Sequence, residues 1–128
     1  MGSKPTKGLS VDGGCSHNPG KAYYRAVDIA TGKEVFREDI GIATNNIAEF
    51  LGLCHAIYLV GEDVIYTDSK TAMSWVKNKK VKTSFSSPEI DKRLAKAVAW
   101  LKTGVNYNVE KWDTKSFGEI PADFNLKR

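Results

Sequence analysis

The spacing of apolar residues first changes period near residue 46, and that change restricts the folds open to the chain. Before it, Leu9 and Val11 alternate with Ser10 and Asp12, and the runs 22–29 and 34–40 are joined by Ala30-Thr31-Gly32-Lys33, a hairpin composition with glycine where positive φ is needed. Residues 8–13 thus read as a strand stopped by Gly13-Gly14, and 13–20, with Asn18-Pro19-Gly20, as a turn. Beyond it, Ile47, Phe50, Leu51, Cys54, Ile57 and Tyr58 recur at spacings of three and four, which predicts an amphipathic helix ending at Gly61. A three-stranded β unit followed by a helix is the start of an α/β domain.

The alternation continues. Val64 to Thr67 is a short buried strand, and a second helix carrying Ala72, Trp75 and Val76 follows Asp68-Ser69. Lys77, Lys79, Lys80 and Lys82 with Thr83 and Ser84 make a basic connection to a third helix opened by Pro88, on which Ile90, Leu94, Ala97, Val98 and Leu101 share a face. Gly104 closes it, 105–112 reads as the last strand, and Pro121 predicts a short C-terminal helix containing Asp123.

At 128 residues the chain fits one domain, expected over 8–128 after a flexible leader at 1–7. Met1, Gly2 and Thr6 match the loose N-myristoylation pattern, but a short Gly-, Ser-, Pro- and Lys-containing leader is the plainer reading. No run reaches membrane-spanning length and no apolar stretch follows Lys4 and Lys7 as in a secretory signal, so a cytoplasmic setting is expected. Cys15 and Cys54 lack C-x-x-C spacing and read as free thiols. The formal charge of +4 favours polyanionic partners without specifying one.

Three acidic residues stand at element ends: Asp12 after Leu9 and Val11, Glu49 at the start of the first long helix, and Asp68 after the fourth strand. Ligand sites of α/β sheets gather at such places, and a hard divalent cation wants carboxylate oxygens. Each has a local alternative: Glu49 lies three residues after Asn46 as in a capping box, Asp68 suits a helix N-cap, and Asp123 could complement a helix dipole after Pro121. His17, in a loop, and His55, six positions after Glu49, read as bystanders. The chain has no P-loop, no G-x-G-x-x-G junction and no Ser-His-Asp ordering, which argues against NTP hydrolysis, dinucleotide binding and acyl transfer.

Read together, the flanking residues go further. Asp12-Gly13-Gly14 with Asn18-Pro19-Gly20, then Thr44-Asn45-Asn46-Ile47-Ala48-Glu49-Phe50, then Tyr66-Thr67-Asp68-Ser69, and last Gly118-Glu119-Ile120-Pro121-Ala122-Asp123-Phe124 occur in this order. The chain resembles type 1 ribonuclease H over nearly its whole length, particularly the bacterial branch with a C-terminal Gly-Glu-Ile-x-Ala-Asp-aromatic segment. It departs from that branch at Phe117, in place of a tryptophan, at Asn125-Leu126, in place of Gly-Arg, and by one extra residue between Gly13 and Asn18. No appended hybrid-binding module is expected before Gly8.

The resemblance implies an α/β, RNase H-like fold, a five-stranded mixed sheet with helices on both faces. It implies hydrolysis of the RNA strand of RNA·DNA hybrids, leaving 5′-phosphate and 3′-hydroxyl ends, by Asp12, Glu49, Asp68 and Asp123 holding two Mg2+ ions, with Mn2+ a substitute. Glu119 matches an acidic residue beside the metals, which would assist metal exchange or product departure. Asn45 and Asn46 would face the RNA strand; with Ser16, Asn18 and neighbouring Gly14 they form the set expected at 2′-hydroxyls and the minor groove. Thr44, Thr83 and Ser84 match a pocket gripping a phosphate of the DNA strand, Thr114 another substrate contact, and Trp75 either the DNA backbone track or ordinary core. A monomer is expected. Two rivals stay open: another nuclease of the same fold, such as a transposase or junction resolvase, and a hybrid-binding module without catalysis.

Overall fold

A computed structural model describes residues 3–123 of the chain. Five strands and four helices follow in the order β1 (Leu9–Cys15), β2 (Gly20–Asp28), β3 (Glu34–Ala43), α1 (Asn45–Val60), β4 (Val64–Thr67), α2 (Lys70–Asn78), α3 (Pro88–Leu101), β5 (Asn108–Lys111) and α4 (Thr114–Phe117). The sheet is mixed, ordered β3-β2-β1-β4-β5, with β1, β2 and β3 antiparallel and β4 parallel to both β1 and β5. This is the expected fold: α1 lies on β1, β2 and β4, and α2 and α3 pack against α1.

The Gly13-Gly14 pair does not stop β1, which pairs with β2 as far as Cys15 opposite Ala22. The glycines serve packing instead. A Cβ on Gly13 would lie 2.7 Å from the Ala48 carbonyl carbon and 2.8 Å from Glu49 N, and one on Gly52 would lie 2.9 Å from a Val11 methyl. Strand and helix therefore approach backbone to backbone, and Val11 and Gly13 face α1. Alternation along the strand turns Asp12 to the opposite face, together with its cross-strand partner Arg25.

The core fills the α1 side of the sheet with Val11, Ile47, Phe50, Leu53, Ile57 and Ile65, and Ile90, Leu94 and Leu101 bring α3 onto it. Ser69 and Ser87 cap α2 and α3, accepting hydrogen bonds from Ala72 N and Ile90 N. Lys79 closes α2 in the left-handed conformation, φ 55°.

Other boundaries also differ from the sequence expectation. β3 runs on to Ala43, past Gly41 at φ 78°, where Asp39 accepts the Gly41 N–H and bends the edge strand. β5 is confined to the four residues paired with Val64–Thr67, because the partner strand offers no more backbone. Pro121 does not open a helix over 121–123: Pro121 and Ala122 form a turn in which Asp123 N donates to Ile120 O at 2.9 Å. The helix of this region is α4, capped by Asp113, which accepts from Ser116 N. Met1 and Gly2 of the leader, and Phe124 and Asn125-Leu126, lie outside the described residues.

Gly13→Ala should lower unfolding stability by about 1–3 kcal/mol in denaturant titrations, the cost of overpacking a tight contact, since the atoms a Cβ meets are mostly backbone. An unchanged midpoint would refute the close-approach account.

Candidate active site

Asp12, Glu49 and Asp68 each offer a carboxylate oxygen within 4.8 Å of the other two. More than fifty residues of chain separate the outer pair, so only the fold brings them together. Asp12 is central in β1, not at its end, and is 1% exposed; Glu49 is 6% exposed. Asp68 is half-buried, just past the C-terminal end of β4.

The local alternatives weighed for two of these acids do not hold. Thr44, not Asn46, caps α1, accepting from Ile47 N at 3.2 Å, and the Glu49 carboxylate turns inward to accept the Gly13 N–H at 2.7 Å. That bond exists because Gly13 leaves room for it. Likewise Ser69, not Asp68, caps α2. Neither acid is consumed by capping a helix.

Three carboxylates this close, two of them removed from water, repel one another strongly unless a cation lies among them. The donor set is all oxygen and all anionic, which suits a hard divalent ion such as Mg2+ or Mn2+ and not a soft one. Among the described residues this is the one group of such side chains that could hold a metal. Asp123 stands outside the trio. Its main-chain carbonyl accepts from Arg25 Nη2 at 2.9 Å, and that of Ala122 from Arg25 Nε at 2.8 Å. Glu119 is exposed, in a segment that is neither helix nor strand.

The loop expected to face substrate is tied to α1. Asn45 Oδ1 accepts both the Cys15 N–H, at 2.9 Å, and the Cys15 thiol, at 3.2 Å, and Asn18 Oδ1 accepts the Asn45 N–H at 3.1 Å. Gly14 is buried, Ser16 and Asn18 are exposed, and Thr44, Asn45 and Asn46 lie beside them at the start of α1, so these residues form a continuous surface from the β1–β2 loop to that helix. Thr83 and Ser84 are exposed in the α2–α3 connection; Thr83 lines a groove of about 730 Å³ with Lys79, Lys80 and residues of α3, to which Thr44 does not contribute. Trp75 is 6% exposed and meets Phe50 edge-on, centroids 5.8 Å apart. Thr114 opens α4.

Tyr24 and Cys54 are buried in the packed interior, and His55 is half-buried beside Tyr24. His55 stacks on Phe36 at 3.9 Å and shares a 2.8 Å hydrogen bond with the Tyr24 hydroxyl; burial lowers the histidine's pKa and raises that of Tyr24 to about 12. Burial likewise pushes the Cys54 thiol up to about 12, and neither cysteine is in a disulfide. A cavity of about 620 Å³ beside Lys7, Leu9, Val35 and Val64 opens at the N-terminal ends of β1 and β4, away from the carboxylates.

Sequence comparison decides the family, since the model of the family described as RNase H matches residues 6–113. The chain belongs to the RNase H family. It is thus a ribonuclease H, a hydrolase. Solved structures share the fold: RNase H1 of Halobacterium salinarum, 24% identical with a TM-score of 0.55 over 84% of this chain and 86% of that one; LC11-RNase H1 in complex with an RNA/DNA hybrid, 21% identical with a TM-score of 0.54 over 84% and 86%; and the N-terminal RNase H domain of rv2228c from Mycobacterium tuberculosis, 24% identical with a TM-score of 0.52 over 85% and 84%.

Two residues of this RNase H site escaped sequence reasoning. Arg25 looks like any surface arginine of a β-strand. Trp112, fully buried with its indole N–H donating to Gly118 O at 2.9 Å, reads as the end of a strand but pins the segment that leads to Asp123.

Because Ser69 carries the cap, Asp68→Asn should melt no lower than wild type in EDTA, and higher if the relieved repulsion dominates, whereas Ser69→Ala should cost about 1 kcal/mol. With saturating Mg2+ the order of Asp68→Asn and wild type should reverse. Thermal denaturation with and without metal reads both effects, and a marked destabilisation of Asp68→Asn in EDTA would return Asp68 to a structural role.

Proposed function

We propose that this RNase H is an endoribonuclease of the type 1 class, bacterial branch, which hydrolyses the RNA strand of RNA·DNA hybrids and leaves 5′-phosphate and 3′-hydroxyl ends. The observation that carries the chemistry is the convergence of Asp12, Glu49 and Asp68 within 4.8 Å in a fold that turns two of them away from water. Asp12, Glu49, Asp68 and Asp123 would hold two divalent ions, Mg2+ with Mn2+ as substitute. Such a pair supplies a nucleophile at neutral pH and charge stabilisation for the attacking and leaving oxygens of an in-line displacement.

The chain's own residues do the rest. Asp12, rigid within β1, would hold the ions in a fixed position against the sheet. Glu49, held by the Gly13 N–H, and Asp68, at the β4 end, define the leaving-group side. Asp123 completes the water side, and Glu119, exposed nearby in sequence, assists metal exchange or product departure.

Recognition follows from the surface beside these acids. Asn45 has its Oδ1 engaged by Cys15 and offers its amide N–H groups as donors; Asn46, Ser16 and Asn18, with Gly14, extend the polar track toward RNA 2′-hydroxyls. Thr44, Thr83, Ser84 and Thr114 contact backbone, and Trp75 contributes an edge to the DNA track while packing in the core. Lys77, Lys79, Lys80 and Lys82 add electrostatic attraction. The catalytic unit is a monomer spanning 8–128 after a leader at 1–7, and acts in the cytoplasm. No helix among the described residues is long and apolar enough to cross a membrane.

Labelled RNA·DNA, RNA·RNA, DNA·DNA and single-stranded RNA offered with Mg2+ and with EDTA test the reading. Only the hybrid with Mg2+ should be cut, and Asp12→Asn and Asp68→Asn should each abolish cleavage while still retaining the hybrid in a binding assay. Cleavage near the wild-type rate by Asp68→Asn would refute the metal site; equal cutting of a DNA duplex would favour another nuclease of this fold.

Salt dependence tests the lysines separately. Lys79→Asn, which tolerates the left-handed cap, combined with Lys80→Gln should flatten the slope of log affinity against log salt by about 1–2 units, roughly one for each phosphate no longer neutralised. An unchanged slope would remove both from the footprint.

A further inference from the structure

We infer that Arg25 is a positioning residue for the fourth carboxylate, Asp123, acting through the main chain; this rests on the reading of Asp123 as a member of the metal-binding set. Arg25 is the register partner of Asp12 on the neighbouring antiparallel strand, so both side chains leave the same face of the sheet, the one turned away from α1. From there the guanidinium fork takes two consecutive carbonyls, Ala122 O at 2.8 Å and Asp123 O at 2.9 Å. Two bonds from one planar, rigid group fix both the position and the direction of a short stretch of backbone, which a single bond to a flexible side chain does not.

The segment needs such a device. Residues 118–123 follow α4 without helix or strand, anchored by the Trp112 indole at Gly118 and by burial of Ile120 and Ala122. The Asp123 N–H donates to Ile120 O at 2.9 Å, and Arg25 adds two bonds to the carbonyls of Ala122 and Asp123. Arg25 is itself held from behind: Glu34 Oε1 pairs with Arg25 Nη1 at 3.3 Å and with Arg37 Nε at 2.9 Å. Arg37, the register partner of Arg25 on β3, thus steadies Glu34, and the Arg37 and Arg25 bonds keep the Glu34 carboxyl below the usual range. The line Arg37, Glu34, Arg25 leads along the sheet to the backbone of Asp123, which lies in no helix or strand.

The cationic head has a second consequence. It places positive charge on the Asp12 face of the sheet, where carboxylates must coexist before any metal arrives.

The experiment is a double-mutant cycle of Arg25→Ala and Asp123→Asn, with steady-state cleavage of hybrid under saturating Mg2+ and hydrogen exchange of the metal-free protein. Arg25→Ala should lower kcat about 10- to 100-fold while leaving the KM for hybrid within about 2-fold, as expected when a reacting group is misplaced and the binding surface is left intact. Amides of residues 119–123 should exchange faster while those of β1 and α1 do not change. In the Asp123→Asn background, adding Arg25→Ala should change kcat by less than about 2-fold. Arg25→Lys, with charge but no fork, should fall between Ala and wild type; if the alanine variant fails to fold, it takes its place in the cycle.

The outcomes separate the two claims. Wild-type cleavage by Asp123→Asn removes Asp123 from the site and this inference with it. An inactive Asp123→Asn beside a wild-type-like Arg25→Ala overturns the role of Arg25 alone. Losses that multiply in the double mutant do so too, because Arg25 would then act by another route, and so does full activity of Arg25→Lys.

Discussion

The contact on which the site depends is the approach of α1 to β1, where Gly13 and Gly52 let the two backbones meet and the Glu49 carboxylate accepts the Gly13 N–H at 2.7 Å. A side chain at either glycine would lift the helix, and the Glu49 oxygens with it. Because the bond is made to main chain on a central strand, Glu49 is placed as rigidly as the sheet itself. The same contact decides which way β1 faces, turning Val11 into the core and Asp12 out of it on the other side. Packing and chemistry thus share one strand and divide its two faces.

The far face is organised by the C-terminal segment. Trp112 N donates to Thr67 O at 2.7 Å, so β4, which delivers Asp68, is joined directly to the residue whose indole holds Gly118. Tyr66 and Phe117 each meet that indole edge-on. Asp68 and the approach to Asp123 are therefore referenced to one buried aromatic, while Asp12 and Asp123 are linked through Arg25. The loop side is held by hydrogen bonds from the Cys15 and Asn45 N–H groups to the Asn45 and Asn18 side-chain oxygens.

Much of this was legible in the sequence because it is periodic. The strand and helix order, the Ser69 and Pro88 starts, the Gly61 stop and the apolar face of α3 follow from spacing and cap chemistry. Where glycines act in tertiary packing the local rule misled: Gly13-Gly14 reads as a break and is in fact the place where a helix sits on a continuing strand. Pro121 misled in the same way, since its fixed φ suits a turn as well as a first helical turn. The trio of acids could be named from motif order, but not from periodicity, which leaves each acid with a local explanation. Arg25 and Trp112 could not be found at all, because what they bind is backbone far from the pattern that defines their own strands, and backbone carries no residue-type signal.

The parallel pairing of β1 with β4 joins Leu9 and Ser10 to Ile65 and Tyr66 across more than fifty residues, and it is this pairing that brings Asp68 to Asp12 and Glu49. Contacts so distant in sequence form only when most of the chain is already ordered, since the loop between them must be closed first. A chain that has folded its N-terminal hairpins and α1 but not yet seated β4 has two of the three acids and no site. On the proposed reading, the site therefore arrives with the completed sheet and leaves with it, so a nascent or partly unfolded copy that has not seated β4 lacks one of its acids.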